Sequence, residues 1–389
     1  MTEFLTIDLG MCGNAALTLL CNAIDAVNQI QLQRALNRSK AVIAYATDKF
    51  YAYPYKDVPS YWRSLYYDAS LVQCVALHRL GRYETMIEVV DMALIMTGGH
   101  GKDMQKVLKW IEATIPRKTF DEKSEFPVVV PKLSLTHPIP RTEAPSLQWF
   151  QKHIRQVHSP VIITAALTHW NALNDWTSPQ YFFSKTLNGK RLVPIEIGES
   201  YVSANWTQKI VSFESFLHDH LLRDATPKGY LAQHNLFAQV PELRADISIP
   251  EYCFAIPPRK PPDNPLVPFI DTEGSVQENI WMGPAGTKSP LHNDPYENIY
   301  AQVIGYKYFR LFPPCETGRL YPRGVEGGIE MGNTSLVDVD DPDLQAFPAF
   351  GEAEYVEGIL GPGECLYIPR GWWHFVRSET VSIGVSFWW

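Results

Sequence analysis

The sequence has too few basic residues for a nucleic-acid-binding surface, and it has no cysteine motif. Its 389 residues include 34 Lys and Arg against 42 Asp and Glu, which gives a net charge of −8. Because non-specific DNA binding needs a basic footprint, we expect no direct contact with DNA. The six cysteines are scattered without any C-x-x-C pair, so we expect neither a zinc ribbon nor a dense disulfide framework.

Targeting and membrane signals are also lacking. No basic residue precedes Arg34, so the positively charged start of a secretory signal is missing. No uninterrupted apolar run reaches the roughly 18 residues that a membrane span needs. We therefore expect a reduced protein of the nucleus or the cytoplasm that does not associate with membranes.

The patterns that are present divide the chain into three regions and predict an α+β fold. Residues 1–116 carry apolar side chains at spacings of three and four, with Ser60 as a helix cap and Gly81 as a helix end, which predicts an all-α domain. This domain is either a packing cap or a partner-binding surface. Residues 117–147 are rich in proline and polar residues, and we expect a linker. In residues 148–389, short β-branched or aromatic runs alternate with Gly, Pro and Asp, which is typical of a β-sandwich or barrel, here decorated with helices.

Three metal-ligating side chains stand out in the β-rich region. His292 and Asp294 are two residues apart in SPLHNDPYEN, so in an extended segment they point to the same face. His374 follows much later, after a turn, a strand and a second turn in GPGECLYIPRGWWHFV. Two His and one carboxylate form the facial triad of non-haem Fe(II) oxygenases, which leaves coordination sites for a chelating cosubstrate and dioxygen.

A lysine in the same region suggests what that cosubstrate is. Lys307 shares one face of a predicted strand with Phe309 and Leu311, and an unpaired lysine is costly to bury among apolar side chains. A dicarboxylic cosubstrate would supply the missing anion. The alternative is an exposed lysine on an edge strand.

The last predicted strand, VSIGVSFWW, has one face of small side chains. That face is formed by Ser382, Gly384, Ser386 and Trp388. Small residues would leave room for a ligand inside a barrel, with the tryptophan as a wall. The alternative is a sheet edge whose polar side faces water.

Together these motifs resemble the JmjC family of Fe(II)- and 2-oxoglutarate-dependent oxygenases. The resemblance is carried by GYLAQHNLF, PELRADISIPEYC, SPLHNDPYEN, GYKYFRLF and VSFWW, and covers the chain from about residue 148 onward. It implies a C-terminal double-stranded β-helix of the jelly-roll type. It also implies Fe(II), 2-oxoglutarate and dioxygen as the metal and cosubstrates.

The resemblance implies roles for eleven residues. The implied iron ligands are His292, Asp294 and His374. The implied 2-oxoglutarate contacts are Tyr230, Ser289, Asn298, Lys307 and Trp388. The implied contacts on the substrate side are Glu196, Gln233 and Trp281.

Hydroxylation of arginine in protein substrates is the function that we expect first. An acidic side chain at Glu196 and an aromatic plane at Trp281 suit a guanidinium, by ion pairing and stacking. The alternative is demethylation of N-methyl-lysine in histones by the same iron centre, and proteolysis of histone tails ranks third. A basic protein or peptide, such as a histone tail, is the expected partner. A non-catalytic nuclear binding protein that uses residues 1–116 is a further alternative.

Overall fold

The computed structural model divides the chain into two compact units. It describes residues 9–54, 57–98, 102–116, 118–120, 125–198, 205–223, 225–258, 274–326 and 328–389, with Ser200, Val202, Val267, Ile270 and Thr272. The first unit, here called the helical unit, contains the residues up to Phe120, with Phe183–Val193 and Ile210–Glu214. The second, here called the β unit, contains Asp121–Phe182, Pro194–Lys209 and Ser215–Trp389.

Up to Phe120, the described residues of the helical unit form a short 3₁₀ turn and five α-helices. These are the turn Leu9–Cys12, α1 (Gly13–Asn28), α2 (Leu32–Phe50), α3 (Ser60–Arg79), α4 (Tyr83–Thr97) and α5 (Lys102–Thr114). Ser60 is the first residue of α3 and not its cap, because the extended backbone of Pro59 occupies the cap position. At the end of α4, Gly98 takes the left-handed conformation (φ 80°), which suits a residue without a Cβ.

By length and composition alone, the segment Gly10–Asn28 is apolar enough to cross a membrane. In the structure, α1 contributes one face to the core that it shares with α2 and α3. The buried residues of that face are Ala16, Leu20, Ala23, Ile24, Ala26 and Val27. Packing in this core accounts for the apolar composition of the helix.

A buried ion pair joins α4 to the later segment Phe183–Val193 within the helical unit. Asp91 on α4 is fully buried, and Arg191 is only 3% exposed. Their closest atoms, Arg191 Nη2 and Asp91 Oδ1, are 2.7 Å apart, and Arg191 Nε lies 2.9 Å from both carboxylate oxygens. The backbone N–H of Leu192 also donates to Asp91. This ion pair therefore attaches the segment 183–193 to helices that end about seventy residues earlier in the sequence.

The rest of the described chain holds two large sheets, one two-stranded sheet and several short helices. The strands are β1 (Arg141–Glu143), β2 (Val161–Thr164), β3 (Leu192–Ile197), β4 (Thr207–Ser212), β5 (Gly229–His234), β6 (Gln277–Gly283), β7 (Lys288–His292), β8 (Asn298–Ile304), β9 (Lys307–Phe312), β10 (Val325–Glu326), β11 (Ile329–Glu330), β12 (Val356–Leu360), β13 (Cys365–Ile368), β14 (Trp373–Ser378) and β15 (Ser382–Trp388). The helices are α6 (Leu147–Gln156), α7 (Ala172–Asp175), α8 (Pro179–Lys185), α9 (Phe213–Ser215), the π-helical turn Phe216–Leu222, α10 (Leu236–Gln239) and α11 (Pro241–Arg244).

The two sheets pack face to face as a jelly roll. The larger sheet has the strand order β1-β2-β13-β8-β15-β6-β5-β3-β4, and the smaller has the order β12-β9-β14-β7. The shared core takes side chains from both sheets, among them Ile162 and Leu366 from the larger and Phe309 and Leu311 from the smaller. This confirms the α+β class and the jelly-roll architecture expected from the sequence.

Part of the stretch expected to be a linker is packed against the β unit. Within residues 117–147, Ile139 is 3% exposed and donates its N–H to the carbonyl of Glu357. Strand β1 then pairs with β2 in parallel. The second half of this proline-rich stretch thus adds an edge strand, a position at which proline is tolerated because few ladder bonds are needed.

Candidate metal centre and its pocket

The two histidines of the predicted triad come from neighbouring strands of the smaller sheet. His292 is the last residue of β7, and His374 is the second residue of β14. The two strands are antiparallel, and their register places His374 directly opposite His292. Because directly paired residues project to the same face of a sheet, both imidazoles point to one place. Asp294 lies in the loop between β7 and β8 and completes the group.

The three side chains converge at distances that suit one metal ion. Asp294 Oδ2 lies 3.6 Å from His374 Nε2 and 3.9 Å from His292 Nε2. The two imidazole centroids are 4.2 Å apart. One ligand atom from each residue lies within 4.8 Å of the others. Two imidazole nitrogens and one carboxylate oxygen leave part of the coordination sphere open, as the facial triad requires.

Backbone carbonyls fix the orientation of both imidazoles. His292 Nδ1 lies 2.7 Å from the carbonyl oxygen of Pro290, and His374 Nδ1 lies 3.1 Å from that of Trp372. A carbonyl only accepts, so each Nδ1 must carry the proton and each Nε2 must present its lone pair to the shared centre. This is the usual support of a metal-bound histidine by a second hydrogen bond.

Burial shifts the pKa values of His374 and Asp294 so that the uncharged form of each side chain is favoured. It lowers the pKa of His374 well below its usual value, because an imidazolium would lose its hydration and would face His292. Neutral imidazole is the form that binds a metal. Burial raises the pKa of Asp294, and only His292 opposes that shift. A divalent cation would favour the carboxylate form, so the donor set fits a metal ion.

A pocket adjoins the triad and runs between the two sheets. Its empty volume is about 340 Å³, including the part open to solvent. It is lined by Tyr230, Trp281, Ser289, His292, Asp294, Asn298, Tyr300, Lys307, Phe309, Ile368, His374, Val376, Ser386 and Trp388. All five predicted 2-oxoglutarate contacts and one predicted substrate contact, Trp281, are therefore brought to the triad.

Lys307 lies inside this pocket with only 1% of its surface exposed. Its strand, β9, lies between β12 and β14, so the alternative of an exposed edge lysine is wrong. Lys307 Nζ donates to the hydroxyl of Tyr230 at 2.9 Å. Burial lowers the pKa of Lys307 to about 7, because the ammonium form loses its hydration, and among the described residues no carboxylate compensates its charge. A bound dicarboxylate would supply that charge.

Three buried polar atoms of the pocket have no hydrogen-bond partner among the described residues. Asn298 Oδ1, the Tyr300 hydroxyl and Trp388 Nε1 make no hydrogen bond to any residue that the structure describes. Buried polar groups are rarely left unsatisfied in proteins. The Tyr300 hydroxyl and Trp388 Nε1 can donate, whereas Asn298 Oδ1 only accepts, and two free donors beside a lysine suit an anionic ligand.

Part of the small face of β15 lies at the pocket, where the sequence predicted it. Ser386 and Trp388 line the pocket, and the Ser386 hydroxyl accepts a hydrogen bond from Trp281 Nε1 at 2.9 Å. The ring of Trp388 stacks on Tyr296, with centroids 5.2 Å apart and planes within 9°. The alternative of a water-facing edge is wrong, since β15 lies between β6 and β8 and is buried throughout.

The other two predicted substrate contacts lie outside the pocket lining. Gln233 is exposed on β5, with a left-handed φ of 49°, where the pairing with β6 is irregular between Leu231 and His234. This irregularity turns the side chain away from the wall that it was expected to join. Glu196 on β3 pairs directly with Tyr230 on the neighbouring strand β5, so it lies beside the pocket wall without lining the pocket, and burial raises its pKa.

Sequence reasoning missed Tyr300. It lies on β8 two residues after Asn298, so the alternation of a strand places both on the same face. That spacing was available in the sequence, but a tyrosine in an apolar strand is typical of an ordinary core.

Residues 146–389 match the cupin-like domain family. The chain is 40% identical over 262 residues to Lysine-specific demethylase 8 of Xenopus tropicalis, covering 67% of this chain and 55% of that protein. It is 35% identical over 373 residues to Lysine-specific demethylase 8 of Danio rerio, covering 90% and 87%. It is 40% identical over 255 residues to Jumonji C domain-containing protein 5 of Drosophila melanogaster, covering 64% and 59%. The chain thus spans little more than half the length of the frog and fly proteins.

Proposed function

The chain belongs to the cupin-like domain family and to its JmjC members, and from this premise we propose that it is an Fe(II)- and 2-oxoglutarate-dependent oxygenase of protein side chains. The observation that carries the proposal is the convergence of His292, Asp294 and His374 beside a buried lysine. The three ligands alone would indicate a metal site, and the buried lysine is what indicates that an oxo-diacid binds beside the metal.

Each pocket residue has a defined task in this proposal. His292, Asp294 and His374 would hold the iron, and Lys307 with Tyr230 would bind the far carboxylate of 2-oxoglutarate. When bound, iron and 2-oxoglutarate supply the activation of dioxygen that lets an unactivated C–H bond be oxidised. Trp388, which stacks on Tyr296, would form one wall of the bound cosubstrate's site.

We propose lysine side chains carrying N-methyl groups as the first substrate class. Two of the relatives are named as lysine-specific demethylases, which favours demethylation over the arginine hydroxylation that we expected first. Trp281 offers an aromatic face at the pocket that suits a methylammonium group. Oxidation of the methyl carbon is followed by loss of formaldehyde.

Arginine hydroxylation is the second candidate, and one observation favours it. The carboxyl of Glu196 lies opposite Tyr230 in the register of β3 and β5, and the rings of Tyr230 and Trp281 are 6.1 Å apart. A carboxylate and an indole near one pocket are the groups that a guanidinium prefers.

A peptide assay with mass spectrometry tests these proposals. The protein is incubated with Fe(II), ascorbate, 2-oxoglutarate and histone-tail peptides that carry either methylated lysine or unmodified arginine. Demethylation removes one CH₂ from the peptide and releases formaldehyde, whereas hydroxylation adds one oxygen atom and releases none. Both produce succinate.

The control is the His374→Ala variant, which should lose turnover while keeping its unfolding transition. If 2-oxoglutarate neither binds the metal-loaded protein nor is turned over with any peptide, the oxygenase proposal is wrong. A non-catalytic binding protein would then retain peptide binding without succinate release.

A further inference from the structure

Tyr300 is a buried pocket residue whose hydroxyl is unused by the protein. It lies in the middle of β8, and only 5% of its surface is exposed. Its hydroxyl has no hydrogen-bond partner among the described residues, although the side chain lines the pocket. The roles proposed so far for the iron ligands, Lys307 and Tyr230 do not involve the Tyr300 hydroxyl.

The surroundings of Tyr300 hold its ring at the end of the pocket occupied by the lysine. Lys307 Nζ lies 5.4 Å from the Tyr300 ring centroid and 5.1 Å from that of Tyr230. Phe309 meets the Tyr300 ring edge-on, with centroids 5.3 Å apart. The Lys307 amine therefore lies near both tyrosine rings, and it is hydrogen-bonded to one of the two hydroxyls.

A glycine on the opposing strand makes space for this hydroxyl. A Cβ on Gly384 of β15 would lie 2.2 Å from the Tyr300 hydroxyl oxygen and 2.5 Å from its ring carbon Cζ. No side chain larger than hydrogen fits there with the tyrosine in place. The glycine at this position thus leaves space for the Tyr300 hydroxyl, which has no hydrogen-bond partner among the described residues.

The chemistry of the hydroxyl is that of a donor. Burial raises the pKa of Tyr300 well above its usual value, so the group stays protonated. A carboxylate can accept about four hydrogen bonds. The ammonium group of Lys307 already gives one of its three hydrogens to Tyr230, so an anion there can use further donors.

We propose that the Tyr300 hydroxyl donates a hydrogen bond to the far carboxylate of the oxo-acid cosubstrate and thereby selects dicarboxylic over monocarboxylic oxo acids. The proposal rests on the proposed function, because it assumes that an oxo acid occupies the pocket. Tyr300 is in this sense a binding and specificity residue, which acts together with Lys307 and Tyr230.

Calorimetric titration of the Mn(II)-loaded protein with 2-oxoglutarate tests the proposal without turnover. A hydrogen bond to a charged acceptor is worth enough that Tyr300→Phe should weaken binding of 2-oxoglutarate about ten-fold. The same variant should bind 2-oxopentanoate, which lacks the second carboxylate, as the unmodified protein does. Tyr300→Leu provides a second variant in which the ring is also removed, and the same selective loss is expected.

Tyr252→Phe is the matched control. Tyr252 is also a buried tyrosine of the β unit, but its hydroxyl donates to the carbonyl of Pro145 at 2.9 Å, away from the pocket lining. Its variant should bind 2-oxoglutarate with unchanged affinity.

Two results would overturn the assignment of Tyr300. One is an affinity of Tyr300→Phe for 2-oxoglutarate within about two-fold of the unmodified protein, since a lost charged hydrogen bond exceeds that. The other is an equal loss for 2-oxoglutarate and 2-oxopentanoate. Failure of the unmodified protein to bind 2-oxoglutarate would instead reject the proposed function.

Discussion

Lys307 is held in the interior with its charge only partly retained. Its amine is surrounded by the rings of Tyr230 and Tyr300 and by the hydroxyl of Tyr230, none of which carries a negative charge. Burial therefore brings its pKa to about 7, far below that of an exposed lysine. At neutral pH the amine changes its charge readily when an anion arrives.

Binding of 2-oxoglutarate should consequently depend on pH. A bound carboxylate raises the pKa of Lys307, so the complex holds a proton that the free protein loses as pH rises through about 7. Affinity should be highest below pH 7 and fall up to about ten-fold per pH unit above it. Calorimetry between pH 6 and about 9 with Mn(II) checks this.

The comparison for that measurement is Lys307→Met. This variant should bind 2-oxoglutarate weakly at every pH, because it has no proton to gain. If both proteins showed the same pH profile, Lys307 would not be the group responsible.

Gly384→Ala probes the space around Tyr300. The added Cβ would lie 2.2 Å from the Tyr300 hydroxyl, so the ring must shift, and we expect a loss of about 1–3 kcal/mol in the free energy of unfolding. Tyr300→Leu removes the ring and should make the same alanine nearly neutral. Chemical denaturation of the two single variants and the double variant measures this coupling; additive effects would contradict it.

Individual side chains were predictable from the sequence to different degrees. The triad and Lys307 could be recognised because strand alternation and charge burial are local properties of the sequence. Tyr300 could not be singled out, because its role depends on Gly384, which lies more than eighty residues away on another strand. Gln233 was misplaced because an irregular strand register leaves no signal in residue types.

At the scale of elements, a buried carboxylate connects the loop that carries Asp294 with the turn that precedes the strand of His374. Glu297, between Asp294 and β8, is 1% exposed. It accepts hydrogen bonds from the Tyr367 hydroxyl at 2.8 Å and the backbone N–H of Arg370 at 3.1 Å, and His158 Nε2 lies 3.2 Å away. The turn that follows β13 leads directly to His374. One side chain thus sets the spacing between the Asp294 loop and the start of β14.

Glu297→Ala should disturb both stability and metal binding. It leaves buried donors without an acceptor, so we expect a loss of about 3 kcal/mol in the free energy of unfolding. Affinity for Mn(II) should fall about ten-fold, as for other residues that orient metal ligands. Denaturation and a Mn(II) titration check the two effects.

The control for Glu297 is Glu326→Ala. Glu326 is exposed, and its ion pair with Arg323 lies on the surface, so its loss should change the free energy of unfolding by less than about 1 kcal/mol. Unchanged Mn(II) affinity in Glu297→Ala would show that the loops keep their spacing without this carboxylate.

At the scale of the whole molecule, each of the two units is made of separate segments of the chain. The sequence predicted helices followed by a β-rich region, and both are present. It did not show that residues 183–193 and 210–214 return to the helical unit, because that return depends on the burial of Asp91 against Arg191.

Arg191→Ala should therefore destabilise the helical unit. It leaves the carboxylate of Asp91 buried without its cation, a change that typically removes about 3–5 kcal/mol. Because a chain with two units need not unfold in one step, hydrogen exchange of the α4 amides is the suitable measurement. Lys190→Ala is the neighbouring control, since Lys190 pairs with the exposed Glu84 and should matter by less than about 1 kcal/mol. Equal protection of α4 in both variants would contradict the role given to Arg191.

The ion pair of Asp91 and Arg191 also has a consequence during synthesis of the chain. The two residues are 100 positions apart, so the ribosome must add that much polypeptide after the aspartate before its partner exists. At about 5–20 residues per second, the wait lasts roughly 5–20 s. For that time the emerging helices carry an uncompensated carboxylate at their centre, a state in which chaperones have an opportunity to bind.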